Sequence, residues 1–393
     1  MVKGIIFSIL LSGSLFLLSG CWDRVEVNDL AIVTAAAIDK KDDDRIELSL
    51  QVFIPKAMSS GGGQGGGGGG GGGEPVTLVS SHVGKNLAEA LSKLQTEIPR
   101  KVFWGHCHIF IFGEEVAREG IQDHLDFLLR HPQPRERAFV FVSDGKARPL
   151  TELQTRLENF SAETIRRQAN LGVGLKTTMQ KLDEMLASEA QAAALPFIKL
   201  STEKGTQSDY QYPHIVGTAV FKKDKMVGTL SLAKTRGVIW LKNEIEEYTV
   251  TLKPKNIDGD ISLNPVSTHV AMIPHIYNDE WEMDVNIRTE GAVVQNSTTM
   301  DLTNPSSIRL AEIAFQKDIK HRIESTIHEL QQELDTDILD FAKEFHHKYP
   351  KHWRSVKNRW DEIFPQVKVN INVKGNIRRQ GNINESVKSR EER

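Results

Sequence analysis

The chain has 393 residues, of which 39% are hydrophobic and 26% charged, an ordinary globular composition whose length suggests two or three domains. A formal net charge of −3 excludes the basic footprint of a nucleic-acid binder. Two cysteines, Cys21 and Cys107, exclude a disulfide-stapled scaffold.

Lys3 is the only charge in residues 1–20, where Ile5–Leu11 and Leu15–Leu18 supply a short apolar core. That layout is a secretory signal, shorter than the roughly 20 residues a membrane-spanning helix needs. It ends in Leu18-Ser19-Gly20-Cys21, which resembles a lipobox. Small side chains at Ser19 and Gly20 admit the peptidase to the Gly20–Cys21 bond, once the Cys21 thiol carries diacylglyceryl. Two acyl chains hold a protein stably where one holds it weakly. The expectation is a signal peptide at 1–20 and a mature chain of charge −4, lipidated on Cys21, with Cys107 left alone.

Asp29–Asp39 has the pattern of a buried strand. Arg45–Ile54 alternates, with Ile46, Leu48, Leu50, Val52 and Ile54 opposite Glu47, Ser49 and Gln51, a half-buried strand paired across a charged turn. Gly61–Gly73 is all glycine but for Gln64. The Glu74-Pro75 that follows is not the Lys-Ser/Thr of a phosphate loop, so 59–75 is expected to be a disordered insertion. Leu87–Leu94 predicts a helix, Val102–Phe112 a strand, Val116–Arg130 a helix and Ala138–Val142 a strand. Leu153–Leu200 predicts mostly helix, including Ala162–Ala169 and Thr177–Ala194. A β-rich stretch follows, with strands at Val216–Phe221, Met226–Leu232, Gly237–Leu241, Glu247–Leu252 and Val266–Ile273. Trp281–Arg288 alternates as another. Asn304-Pro305-Ser306 opens a long helix with Ile308, Phe315, Ile319, Ile323, Ile327 and Leu330 as its stripe. Asp335–His347 and His352–Phe364 predict shorter helices, and Val367–Lys374 a closing strand.

These elements define an α+β, mixed α/β fold of several domains: an N-terminal α/β domain at 21–200, a β-rich middle at 201–280, a C-terminal α/β domain with the long helix at 281–377, and a polar tail at 378–393.

No pattern carries catalysis or a cofactor. Strand spacing sends His106 and His108 to one face and Cys107 to the other, which leaves half a zinc site at most and an inert thiol. Asp335, Asp337 and Asp340 lack the central glycine of a calcium loop, and acids at a helix N-terminus are the simpler account. His346 and His347 are expected to face solvent. Trp353, Val356, Trp360 and Phe364 fall at helical spacing, so the basic residues of Lys351–Trp360 face outward.

Cys21-Trp22-Asp23-Arg24-Val25-Glu26-Val27-Asn28-Asp29-Leu30 resembles the mature start of spore germinant-receptor C subunits, the GerAC/Ger(x)C family. Asp335–Phe341, Tyr349–Trp353, Trp360–Pro365, Val367–Lys374, Ile377–Gly381 and the hairpin Val220–Gly228 are similar to that family too. The glycine run and the glycine-free Asp335 segment depart from it. The resemblance implies three α/β domains in an extended arrangement and a non-enzymatic lipoprotein on the outer face of the spore inner membrane. It also implies two integral-membrane partners, the A and B subunits, and no cofactor. The alternative is the solute-binding lipoprotein of a transporter, which two similar lobes would mark. A cell-wall hydrolase would need a catalytic constellation.

Overall fold

The computed structural model describes residues 26–54, 76–155, 157–205, 209–246 and 248–378. The expected signal peptide at 1–20, Cys21, the glycine run and the tail beyond Arg378 lie outside the described residues.

Hydrogen bonding sorts the described strands into two sheets. The first holds β1 (Leu30–Asp42), β2 (Arg45–Phe53), β3 (Thr77–Gly84), β4 (Lys101–Phe103), β5 (Ile109–Gly113), β6 (Phe139–Ser143), β7 (Ala192–Glu203), β8 (Tyr210–Lys222) and β9 (Lys225–Ser231). Its order is β3-β2-β1-β5-β6-β7-β8-β9, with β4 also beside β1. The strands β1, β5, β6 and β7 run parallel, and antiparallel hairpins flank them. The mixed sheet expected from the sequence is therefore present.

Parallel central strands are buried on both faces. On one face of β1, Ala31, Val33, Ala36 and Ile38 join a core with α1 (Leu87–Glu97), α2 (Glu114–Glu119), α3 (Gln122–Arg130) and α6 (Met179–Leu186). On the other, Ala35 and Ala37 meet α4 (Arg148–Glu152) and α5 (Ser161–Asn170). That second layer also covers β2, whose Ser49 and Gln51 are fully buried, so the half-buried expectation is corrected. Buried polar groups need partners, and Gln51 has them: its Oε1 accepts from the Thr34 hydroxyl at 2.9 Å, and its Nε2 donates to Thr151 O at 2.6 Å and Ser161 Oγ at 2.9 Å.

The second sheet is β10 (Val250–Leu252), β11 (Ile261–Tyr277), β12 (Glu280–Asn296) and β13 (Lys368–Arg378). Asn278 and Asp279, at φ 51° and 66°, make the two-residue turn between β11 and β12. The long α8 (Pro305–Gln332), capped by Asn304, lays Phe315, Ile319, Ile323, Ile327 and Leu330 against this sheet. β13 runs parallel to β12. One core joins the two sheets through α7 (Leu232–Leu241), whose Val238 to Leu241 pack with Val220 and Leu230 from the first sheet and Leu263 from the second.

Five further expectations differ. Val102–Phe112 is β4 and β5 separated by a turn at Trp104–His108, where Cys107 N donates to Trp104 O. Val116–Arg130 is two helices, parted where Gly120 takes φ 139°. The end of the predicted helical stretch, Ala192 onward, is β7, because pairing with both β6 and β8 overrides the helix preference of its three alanines. Gly237–Leu241 is helix α7, capped by the Ser231 hydroxyl, because a fully buried apolar run has no periodicity to report. Asp335–Asp340 precedes its helix, α9 (Phe341–Lys348), and is followed by α10 (Pro350–Val356) and α11 (Trp360–Ile363). Leu200 lies inside β7, which pairs with β8, and Glu280 opens β12, which pairs with β11.

Candidate functional site

Where the chain leaves β4 to enter β5, the Trp104–His108 turn opens a cleft between the sheet and α5. Its volume is about 490 Å³. Ile32, Phe53, Phe160 and Ala162 give it an apolar floor, with the Phe53 and Phe160 rings 6.2 Å apart. His106, His108, Glu158, Glu163, Arg166 and Arg167 form its polar wall.

The polar wall is mostly self-paired. Arg166 donates through Nε and Nη2 to Glu163 at 2.9 and 2.7 Å, and Arg167 reaches Glu163 at 3.0 Å and Glu158 at 2.9 Å. These arginines hold the Glu163 carboxyl below its ordinary value. Burial, then the charges of Arg166 and Arg135, push His108 below the ordinary histidine range. The His106 and His108 rings lie 6.4 Å apart, edge to face. The two histidines therefore share a side, as the spacing predicts, though the turn and not a strand places them there.

Cys107 points the other way and is fully buried, and burial pushes its thiol up. Among the described residues no group of three His, Cys, Asp or Glu side chains could hold a metal. Phe53, Phe160, Glu158, Glu163, Arg166 and Arg167 were not singled out by the sequence reading. Glu163 with Arg166 and Arg167 is an i,i+3 and i,i+4 pattern that any solvated helix face also carries.

Two members of the acidic triplet, Asp337 and Asp340, have structural roles. Asp337 is buried and accepts from Leu339 N, Phe341 N, Ala342 N and Trp360 Nε1, whereas Asp340 is paired with Lys242 at 3.1 Å. Trp353, Trp360 and Phe364 point inward, and Lys351, Arg354, Lys357 and Arg359 are exposed. His347 faces solvent, and His346 stays 44% exposed while its ring stacks on Trp353 and contacts Glu189 Oε1 at 2.9 Å. No helix among the described residues is long and apolar enough to cross a membrane. Gly20 and Cys21, the residues at the expected cleavage and lipidation site, lie outside the described residues.

The described residues form a two-sheet α+β protein whose candidate site is an open cleft. The model of the spore germination protein N-terminal domain matches residues 23–200, and that of the spore germination B3/GerAC-like C-terminal domain matches 216–381. The chain belongs to the GerAC family of spore germinant-receptor C subunits. Among its relatives, the putative spore germination protein YfkR of Bacillus subtilis (strain 168) is 29% identical over 355 residues, covering 90% of this chain and 91% of that protein. Spore germination protein KC of the same organism is 26% identical over 406 residues, covering 99% and 98%. The crystal structure of the GerBC protein superposes with a TM-score of 0.58 at 18% identity, over 87% of this chain and 96% of that one, a likeness of fold.

Proposed function

We propose that this chain is the lipid-anchored C subunit of a spore nutrient germinant receptor, acting in receptor assembly and germination signalling through protein contacts. In this reading the Gly20–Cys21 bond is cleaved, Cys21 carries diacylglyceryl, and the folded body sits on the outer face of the spore inner membrane beside the integral-membrane A and B subunits. The observation that carries it is the family match, whose two models cover residues 23–200 and 216–381 and so begin two residues after Cys21. A diacylglyceryl group supplies stable attachment without a membrane-crossing helix.

Two measurements test it. Mass spectrometry of the native protein is expected to find an amino terminus at a lipid-modified Cys21, and Cys21→Ala is expected to leave the membrane fraction. An intact leader in native material, or a Cys21→Ala protein that stays membrane-bound and functional, overturns the anchor. Crosslinking in intact spore membranes is expected to capture two polytopic membrane proteins, and capture of neither overturns the assembly role.

A further inference from the structure

We propose that the basic face of α9–α11 docks on anionic phospholipid headgroups and thereby sets how the tethered body stands on its membrane. The inference deepens the anchored reading above and takes from it only that a membrane lies close by.

Charge is the first argument. Residues 341–360 carry six cations, Lys343, Lys348, Lys351, Arg354, Lys357 and Arg359, against the single acid Glu344, in a chain of net charge −3. All six are exposed. The acids of adjoining segments are engaged elsewhere or stand at the rim. Glu189 contacts His346 at 2.9 Å, Asp361 contacts Lys222 at 3.1 Å, and Glu362 lies 4.0 Å from Arg359. Lys348 donates to Pro274 O at 2.7 Å. Lys351, Arg354 and Lys357 form no ion pair among the described residues. They recur at every third position while Trp353 and Trp360 turn inward, so their charges gather on one exposed side.

The face fits a headgroup layer better than a protein. A protein interface has an apolar centre poor in charge, yet Trp353, Trp360 and Phe364 are buried here. No exposed large apolar side chain of the described residues falls within 341–366. Place in the fold points the same way. Ile38, Phe112, Val142 and Phe197 make one row across the parallel strands, so the starts of β1 and β7, Leu30 and Ala192, open the same edge of the sheet. Glu189, just before β7, contacts α9, and Lys222, paired with Ala192, contacts α11. The basic face is thus fastened to the edge at which the chain enters β1. Nine residues separate Cys21 from Leu30, a reach of about 30 Å at most. Three inter-strand steps of about 4.8 Å part β1 from β7. Lipid on Cys21 therefore brings this edge, and the basic face with it, within reach of the headgroups.

Each cation close to an anionic leaflet strengthens binding about fivefold, so three unpaired ones give about a hundredfold. That is enough to orient a tethered body and too little to recruit a free one. The test supplies the tether chemically, so its result is independent of native lipidation. The chain from Cys21 onward keeps every described residue, and with Cys107 buried it couples through Cys21 to a maleimide lipid. Vesicles of phosphatidylcholine alone are compared with vesicles holding about 30% phosphatidylglycerol. Acetylation by a water-soluble ester is followed by mass spectrometry. On the anionic vesicles Lys351 and Lys357 are expected to react at least about fivefold more slowly, with Lys41, at the far end of β1, unchanged. Salt at about 0.5 M is expected to remove the protection, and Arg354→Glu, which breaks no ion pair, to reduce it at Lys357. Equal rates on the two vesicles, protection that survives salt, or full protection in Arg354→Glu overturns the proposal. Carbodiimide coupling of Lys351 or Lys357 to another polypeptide in native spore membranes overturns it too. Phosphatidylglycerol has no carboxylate, so such a product would make an acidic protein the occupant.

Discussion

The indole Nε1 of Trp360 donates to Oδ2 of Asp337 at 3.1 Å, between two side chains that are 3% and 4% exposed. The same carboxylate accepts from Leu339 N and Phe341 N at 3.1 and 3.2 Å and from Ala342 N at 2.8 Å. One side chain thus caps α9 and ties it to α11. Between them lie Trp281, Phe345, Trp353 and Trp360, with ring centroids from 4.7 to 5.8 Å apart. Asp337→Ala leaves four buried donors without an acceptor and is expected to cost about 3–5 kcal/mol. Urea unfolding followed by tryptophan fluorescence measures it, and a midpoint equal to the parent's would exclude the role.

Burial pushes the Asp337 carboxyl up to about 6 from the ordinary 3.8, outweighing the backbone donors and the indole that favour its charged form. Between those values the folded chain keeps a proton that the unfolded chain has released. Its contribution to stability is therefore full below about pH 4 and declines as pH rises to about 6, by roughly 3 kcal/mol in all. The readout is the stability difference between the parent and Asp337→Asn, which does not titrate. That difference is expected to shift against the parent from about pH 4 to about pH 7 and then level off. A difference constant with pH would mean a carboxyl ionised throughout.

What the sequence disclosed follows from what local pattern can carry. The alternation of β2, the stripe and Asn304 cap of α8, and the inward turn of Trp353 and Trp360 were legible because each repeats at its own period. The strand β7 and the helix α7 were not. Ala192–Ala194 prefer helix alone, and Val238–Leu241 are buried all round, so only tertiary pairing decides them. The cleft was half legible. His106 and His108 stand out by spacing, but Phe53, Phe160 and Arg166 reach it from other elements, and no local window shows that convergence.

Gln51 links the fold to that cleft. It holds Thr34, which lines the cleft, together with Thr151 O of α4 and Ser161 Oγ at the start of α5, which forms the far wall. Gln51→Leu keeps the bulk and removes the partners, so Thr151 O and Ser161 Oγ lose a buried donor. The expected loss is about 2 kcal/mol, with faster amide exchange in the first turn of α5. Unchanged exchange there would show that packing alone positions the helix.

At Gly237 a β-carbon would stand 2.1 Å from Thr326 Oγ1 and 2.8 Å from its Cβ, so α7 and α8 touch at a point with no room for a methyl group. The Thr326 hydroxyl donates to Lys234 O or Arg322 O there, at 3.1 and 2.9 Å. Helix propensity favours alanine by about 1 kcal/mol, and overpacking opposes it by about 1–3 kcal/mol. Because Thr326 is short and β-branched it cannot swing aside cheaply, and packing wins. Gly237→Ala is expected to lose about 1–2 kcal/mol, measured by chemical unfolding. Serine at position 326 relieves nothing, but Thr326→Gly in the Gly237→Ala background is expected to recover part of the loss, and a gain in stability from Gly237→Ala alone would refute the contact.

Cys107 is fully buried, its Sγ 3.5 Å from Ile109 O, and burial pushes the thiol well above its ordinary range. The thiolate is the reactive species, so both access and ionisation oppose attack. The Cys21→Ala chain isolates the effect, because Cys107 is then its one thiol. Reaction with a disulfide reagent at about pH 8 is expected to be slower by about a thousandfold or more in the folded chain than in urea, limited by opening of the core. Substitution by Ala removes one buried sulfur and is expected to cost about 1–2 kcal/mol, while Ser, which brings a hydroxyl into an apolar setting, costs more. Rapid labelling of the native chain, or a serine variant as stable as the alanine one, would instead mean a thiol open to solvent.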